Sequence, residues 1–183
     1  MVAIADEIYL GPSSDVDTTK TLLVFYITGN PGLIEYYRLF LTRLHQGLQT
    51  RCPELVLHVY GASLTGFEVG NDDHVPIANP KQPPYSLEEQ IESTMARLLS
   101  TANSMNGSDS SLPVVIVGHS VGTYMLLEII SRWQAMRKAG NSRLNIVGGI
   151  CLFPTVVDIA KSPSGRIATV GFCRAFRTGC VCS

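Results

Sequence analysis

Continuous apolar runs and helically spaced apolar positions alternate along this chain. Residues 21–28 are apolar, β-branched and aromatic, which is typical of a strand buried on both faces. A Gly-Asn-Pro-Gly turn follows at residues 29–32. Apolar residues then recur three and four positions apart over residues 33–49, and this spacing predicts an amphipathic helix.

The same alternation of apolar runs and helically spaced apolar positions continues as far as residue 153. Further buried strands are predicted over residues 55–60, 112–117 and 145–153. Helices are predicted over residues 86–101, which open with the capping box Ser86-x-x-Glu89, and over residues 123–138. Residues 61–84, rich in Gly, Asn, Asp and Pro, predict a long loop of a kind that is often functional. Strands that alternate with helices predict an α/β fold with a mostly parallel sheet.

The composition fits one globular domain of 183 residues. Hydrophobic residues make up 45% of the chain and charged residues 16%, which argues against disorder. The formal net charge of −1 argues against a general nucleic-acid binder, so no nucleic-acid partner is expected. We also expect no transmembrane span, because no apolar run reaches the roughly 20 residues that a spanning helix needs.

The five cysteines and the amino-terminal residues bear on the compartment. Residues 1–10 lack the basic and apolar regions of a signal peptide, so an odd number of cysteines predicts free thiols in a reducing compartment. Cys180 and Cys182 have no second ligand pair with a zinc-site spacing. We therefore expect a cytoplasmic protein with no metal and no cofactor.

Charge is unevenly placed along the chain. Residues 1–158 carry all 15 acids and a net charge of −5, whereas residues 159–183 carry a net charge of +4. The bases of this basic tail are Lys161, Arg166, Arg174 and Arg177. Such a tail is either a solvated chain end or a segment attracted to an anionic lipid surface.

The motif Gly118-x-Ser120-x-Gly122 lies between a predicted strand and a predicted helix. In that context it predicts a nucleophile elbow, a strained turn that exposes the serine hydroxyl above the sheet. Gly118 and Gly122 are expected to remove side chains that would collide with the turn. The helix amino terminus favours developing negative charge, so the Val121 N–H is a predicted oxyanion donor.

A second oxyanion donor is expected from the loop after an earlier strand. The turn at residues 28–32 follows the strand predicted over residues 21–28. Because Pro31 has no N–H, the donor that we favour is Asn30. The alternative reading of this segment is an ordinary turn.

The histidines of the chain do not include an evident catalytic base. His119 adjoins Ser120, and we expect its side chain to pack near the site and not to take the serine proton. His45 falls on a predicted helix and His58 in a predicted strand, where each is expected to be a surface or core residue. His74, in the predicted loop 61–84, is the upstream histidine with most freedom to approach the site.

The order of a hydrolase triad on this type of fold is Ser, then an acid, then His. After Ser120 the acids are Glu128, which is expected to point away on the helix, and Asp158, which has no histidine partner. No histidine follows His119. The acid and the histidine of a triad are therefore expected beyond residue 183.

Three stretches resemble the lipid droplet-associated hydrolase family of the α/β-hydrolase superfamily. They are YITGNPG at residues 26–32 with IEYY at 34–37, GHSVGTY at 118–124, and LFPT at 152–155 with SPSGRIAT at 162–169. The resemblance covers about residues 20–170. It implies a serine hydrolase fold, association with lipid droplets, a lipid-ester substrate, a role in lipid storage or turnover, and Ser120 as the nucleophile.

Two units follow from the extent of this resemblance. Residues 1–170 are expected to form a partial α/β-hydrolase domain, incomplete at its carboxyl terminus, and residues 171–183 a divergent tail. The leading hypothesis is a carboxylic ester hydrolase that acts on lipid esters at lipid droplets. The alternatives are a catalytically inactive protein that binds lipid droplets and an inactive fragment of a longer hydrolase.

Overall fold

The chain forms a single β-sheet with helices on both of its faces. The computed structural model describes residues 5–12, 20–69, 83–105, 112–140 and 144–156. The strands in this part of the chain are β1 (Glu7–Leu10), β2 (Thr21–Ile27), β3 (Val56–Ala62), β4 (Pro113–His119) and β5 (Asn145–Leu152). The helices are α1 (Arg38–Arg51), α2 (Leu87–Met105) and α3 (Val121–Lys138), and a 3₁₀ turn, Ile34–Tyr37, precedes α1.

The strands lie in the order β1-β3-β2-β4-β5. β1 runs antiparallel to β3, and the other neighbouring pairs are parallel. The predicted α/β class with a mostly parallel sheet is therefore confirmed. The connection from β2 leads through α1 to β3 on one side, and α2 then returns the chain to β4 on the other side. Sheets of this type bind their ligands in the crevice at such a reversal, which here falls between the carboxyl ends of β2 and β4.

The burial of β2 on both faces of the sheet explains its apolar sequence. Leu23, Phe25 and Ile27 pack with α2 and α3 on one face of the sheet. Val24 and Tyr26 belong to a second cluster, which α1 covers on the opposite face. Because successive side chains of a strand point to opposite faces, burial on both faces requires an uninterrupted apolar run.

Three features differ from the elements predicted by periodicity. β1 was not predicted, since its four residues bury only Ile8 and give too short an alternation. The helix predicted over residues 33–49 starts as the 3₁₀ turn and becomes α-helical at Arg38. β3 extends to Ala62, so the predicted loop starts two residues later; residues 70–82 of that loop are outside the described residues.

Two glycines let α3 approach the sheet backbone. A Cβ atom on Gly122 would lie 2.7 Å from the carbonyl oxygen of Ile27 and closer still to that of Thr28. A Cβ atom on Gly118 would lie 2.5 Å from the carbonyl oxygen of Gly122. The Thr123 hydroxyl also donates to the Gly118 carbonyl at 3.1 Å. The first turn of α3 is thereby seated directly on the ends of β2 and β4.

His58 occupies a half-buried position on β3, next to the edge strand. The Tyr9 side chain on β1 stacks on its ring, and the Tyr9 hydroxyl is 2.7 Å from His58 Nδ1. His45, which is 8% exposed on α1, is close enough to act on His58 electrostatically. Burial, and then repulsion from His45, lowers the pKa of His58.

The lowered pKa of His58 predicts a loss of stability at mildly acidic pH. The unfolded chain takes up a proton at His58 near its ordinary pKa of about 6.5, while the folded chain resists it. The free energy of unfolding is therefore expected to be constant above that pH and to fall below it. Urea unfolding at pH 7.5 and pH 5.5 measures the decrease, which should be smaller in His58→Asn; equal decreases would contradict the assignment.

The backbone contacts of Gly122 predict a strong asymmetry between two Gly→Ala substitutions. Gly122→Ala should destabilise the fold by about 2 kcal/mol or more, because the rigid backbone cannot move aside for the methyl group. Gly47→Ala in α1 is the control, since its Cβ would meet only the end of Arg51 at 3.6 Å. That change should stabilise the fold by up to about 1 kcal/mol through helix propensity. Thermal or urea unfolding of both variants tests this, and equal effects would refute it.

Candidate active site

Ser120 lies on a strained turn between β4 and α3. Its backbone has φ of 53° and ψ of −121°, a region that residues other than glycine rarely adopt. The Ser120 N–H donates to the Leu152 carbonyl at 3.0 Å, and the Ser120 carbonyl accepts from the Thr123 N–H at 3.0 Å. The turn is thus held from β5 and from α3, and it places Ser120 at the crevice between β2 and β4.

The loop after β2 packs against this turn. A Cβ atom on Gly29 would lie 3.0 Å from the Ser120 Cβ atom and 2.7 Å from His119 Nδ1. Asn30 follows Gly29 directly and is exposed, and the Asn30–Pro31 peptide bond is cis. The Leu64 N–H donates to the Gly32 carbonyl at 2.8 Å, which ties the far end of the loop to the segment after β3.

Two backbone N–H groups beside Ser120 are available to an external acceptor. Val121 is the first residue of α3, so its N–H has no carbonyl four residues earlier in the helix. In the described part of the chain, no backbone or side-chain acceptor is assigned to the Asn30 N–H. The Gly29 N–H, by contrast, donates to the Tyr37 hydroxyl at 3.2 Å.

The Tyr37 hydroxyl joins the loop after β2 to His119. It lies 3.0 Å from His119 Nδ1 as well as accepting from Gly29. The ring of His119 makes edge contacts with Tyr37 on one side, at 5.5 Å between centroids, and with Phe153 on the other, at 5.9 Å. His119 thus packs beside the site as the sequence indicated, while the part played by Tyr37 was missed.

The segment after β5 returns to the serine hydroxyl. Thr155 Oγ1 lies 3.2 Å from Ser120 Oγ, and the Thr155 N–H donates to the Ser120 carbonyl at 3.4 Å. Thr155 Oγ1 is also 3.4 Å from the Phe153 carbonyl, to which it donates. Either hydroxyl is able to donate in the hydrogen bond between Thr155 and Ser120.

The other polar candidates are placed away from Ser120 or outside the described residues. His58 on β3 is paired with Leu23 on β2, and Leu23 is paired with Val114 on β4. Because Val114 precedes Ser120 by six residues, His58 lies about 20 Å from Ser120 along the strands. His74 and Asp158 are outside the described residues. Glu128 raises the pKa of Tyr124, its neighbour on the same helix.

Metal-binding clusters and membrane-spanning helices are both absent from the described residues. They contain no group of three or more His, Cys, Asp or Glu side chains that is able to hold a metal ion. None of the helices in the described ranges combines the length and the apolar character needed to cross a membrane.

Solved structures resemble the chain in its fold, and ESTFA is one of them. The iron-lacking apo form of ESTFA matches 89% of this chain and 50% of its own chain, with a TM-score of 0.51 and 11% identity. At that identity the likeness concerns the fold alone. Together with the strand order and the strained serine turn, it identifies an α/β-hydrolase fold.

Curated relatives are found among the lipid droplet-associated hydrolases of vertebrates. The protein of that name from Gallus gallus is 29% identical over 171 residues, which are 90% of this chain and 48% of the relative. The Mus musculus protein is 30% identical over 168 residues, which are 87% of this chain and 45% of the relative. The chain spans about half the length of these curated relatives.

The profile of a family described as lipid-droplet associated hydrolase matches residues 20–183. This match includes β2 to β5, the loop after β2 and the Ser120 turn. The chain belongs to the lipid-droplet associated hydrolase family.

Proposed function

We propose that Ser120 is the nucleophile of a serine hydrolase that cleaves lipid esters at lipid droplets. The observation that carries the proposal is the strained Ser120 turn at the amino terminus of α3. A turn of this kind presents a hydroxyl at the carboxyl end of the sheet, beside unused N–H groups. Membership of the family supports the hydrolase class and the droplet location.

The reaction begins with attack of Ser120 Oγ on the ester carbonyl carbon. The new C–O bond converts the carbonyl oxygen into an oxyanion, and the tetrahedral intermediate then expels the alcohol. Water subsequently attacks the acyl-serine, which releases the fatty acid and restores Ser120. Each step needs a stabilised oxyanion and a base that holds the transferred proton.

The N–H groups of Val121 and Asn30 are the proposed oxyanion donors. Val121 adds the positive end of the α3 dipole, and Asn30 comes from the loop that touches Ser120. Gly29 is not a donor, because its N–H is already bonded to Tyr37. Because the Gly29 N–H is engaged and Pro31 has none, Asn30 is the donor that the proposal takes from residues 29–31.

The serine proton requires a base that the described residues near Ser120 do not include. His119 Nδ1 is engaged by Tyr37, and His45 and His58 pack between α1, β1 and β3. On this type of fold the histidine that takes the serine proton follows the nucleophile along the chain, and residues 121–183 contain no histidine. The hydroxyl bonds around Thr155, at 3.2 and 3.4 Å, are long and weak, so the Ser120 hydroxyl is free to turn toward such a base.

A lipid ester is the proposed substrate, either a sterol ester or an acylglycerol. The rim of the crevice carries the Phe153 side chain, which is 82% exposed and contacts the ring of His119. Leu39, which is 70% exposed, lies at the start of α1. Apolar groups at these positions suit an acyl chain or a lipid surface more than a polar substrate.

A fluorophosphonate probe should label this chain slowly at Ser120, because the proposed oxyanion donors remain although the described residues place no base beside the serine. The probe phosphonylates the serine oxygen, so mass spectrometry after a long incubation should find the adduct on the peptide that contains Ser120. Ser120→Ala should abolish it, and Ser131→Ala on the exposed side of α3 should not change it. A folded chain that remains unlabelled would contradict the hydrolase proposal and favour the non-catalytic droplet protein.

Attraction of the basic tail to an anionic surface is tested by flotation. Artificial droplets of triolein coated with phosphatidylcholine and phosphatidylserine should carry the chain upward in a density gradient. Neutralising Arg174 and Arg177 to Gln should weaken binding about thirtyfold, since each of the two bases contributes about 1 kcal/mol near such a surface. The control neutralises Arg43 and Arg51, exposed residues of α1, and should change little. Equal flotation of the tail double variant and the α1 double variant would exclude a role for the tail.

A further inference from the structure

We propose that Tyr37 is a positioning residue that fixes the loop after β2 against the Ser120 turn, an inference that rests on the function proposed above. Its hydroxyl accepts the Gly29 N–H at 3.2 Å and lies 3.0 Å from His119 Nδ1. One oxygen atom therefore joins the two segments that carry the proposed oxyanion donors. Val121 is two residues beyond His119, and Asn30 is one residue beyond Gly29.

The two hydrogen bonds of the Tyr37 hydroxyl differ in how their direction is fixed. A backbone N–H only donates, so the Tyr37 oxygen is the acceptor from Gly29. The direction between Tyr37 and His119 Nδ1 depends on the histidine tautomer, and we take the phenol proton as donated to Nδ1. In that arrangement neutral His119 carries its ring proton on Nε2 and is an acceptor within the network.

The Tyr37 ring is held firmly enough to act as a support. It packs at 5.0 Å between centroids against Tyr26, a residue of β2 that is 2% exposed. The 3₁₀ turn that carries it is anchored by Ile34, which is fully buried and whose N–H donates to the Ser63 hydroxyl at 3.2 Å. The hydroxyl thus projects from a fixed ring on a fixed turn.

The loop needs this support because Gly29 has no side chain to restrict its backbone. On one side of it, Thr28 is fully buried and held by the close approach of Gly122. On the other side, Asn30 is exposed. A hydrogen bond at the Gly29 N–H therefore restricts the backbone of Gly29, which lies between the buried Thr28 and the proposed donor Asn30. Small displacements of such donors are costly, because a shift of about 1 Å reduces catalysis about a hundredfold.

Tyr37→Phe removes the hydroxyl and keeps the ring, and Tyr36→Phe is the matched control. Tyr36 is the preceding residue of the same turn and is 70% exposed. The rate of fluorophosphonate labelling, measured over a range of probe concentrations, separates the maximal rate from the half-saturating concentration. Tyr37→Phe should lower the maximal rate about tenfold or more and leave half-saturation unchanged. Tyr36→Phe should match the wild type in both.

Amide hydrogen exchange of Gly29 in the full chain gives a readout that requires no labelling. The exchange rate at Gly29 should rise at least about tenfold in Tyr37→Phe and remain unchanged in Tyr36→Phe, because only Tyr37 protects that N–H. The ¹⁵N spectrum of His119 should show the Nε2–H tautomer in the wild type and a mixture of tautomers in Tyr37→Phe.

A second pair of variants approaches the same network from His119. His119→Asn places an amide oxygen near the position of Nδ1, so it should retain both the labelling rate and the protection of Gly29. His119→Leu removes the acceptor and should lose both to a similar extent as Tyr37→Phe. If His119 acted only by packing, His119→Asn would not retain the labelling rate and the protection of Gly29 better than His119→Leu does.

The outcomes separate this inference from the proposed function. Absence of labelling in the wild type overturns the hydrolase proposal, and the positioning role with it. Labelling of the wild type and Tyr37→Phe at equal maximal rates overturns the positioning role alone. Unchanged exchange at Gly29 in Tyr37→Phe also overturns it, whatever the labelling result.

Discussion

The close approach of α3 to the backbone of β2 is the contact on which the rest of the site depends. At Gly122 the helix meets the carbonyl groups of Ile27 and Thr28, with no room for a Cβ atom. This contact sets the height of Ser120 above the sheet and the direction of the Val121 N–H. It also brings the loop after β2 next to the serine, because the carbonyl groups that Gly122 touches belong to the residues just before Gly29.

The position of the crevice follows from the strand order and not from any one motif. β2 sends the chain to β3 on one side, and the chain later returns to β4 on the other side of β2. The loops that leave β2 and β4 therefore diverge, and the amino terminus of α3 lies at the point where they separate. A ligand that enters there meets the carboxyl ends of both strands and the amino terminus of α3.

The sequence predicts the parts of this arrangement that are local. The apolar run of β2 and the Gly-x-Ser-x-Gly turn depend on neighbouring residues, and both are visible as patterns. Tyr37 is separated from His119 by 82 residues, and its spacing on the predicted helix gave it an ordinary apolar position. The 3₁₀ turn redirects it: its ring packs on Tyr26 and its hydroxyl reaches the site. The contact between Tyr37 and His119 forms only when the fold brings the 3₁₀ turn and β4 together, so no local sequence pattern predicts it.

The strain at Ser120 is balanced by the segment that follows β5. A non-glycine residue in such a conformation costs about 1–3 kcal/mol and persists only where its surroundings hold it. Here the Ser120 N–H bonds to the Leu152 carbonyl and its own carbonyl accepts from Thr123 and Thr155. Phe153, which lies between Leu152 and Thr155 in the sequence, also has a positive φ, of 47°. The two strained residues face each other across β4 and β5, so the geometry of the serine depends on the end of β5 as much as on its own motif.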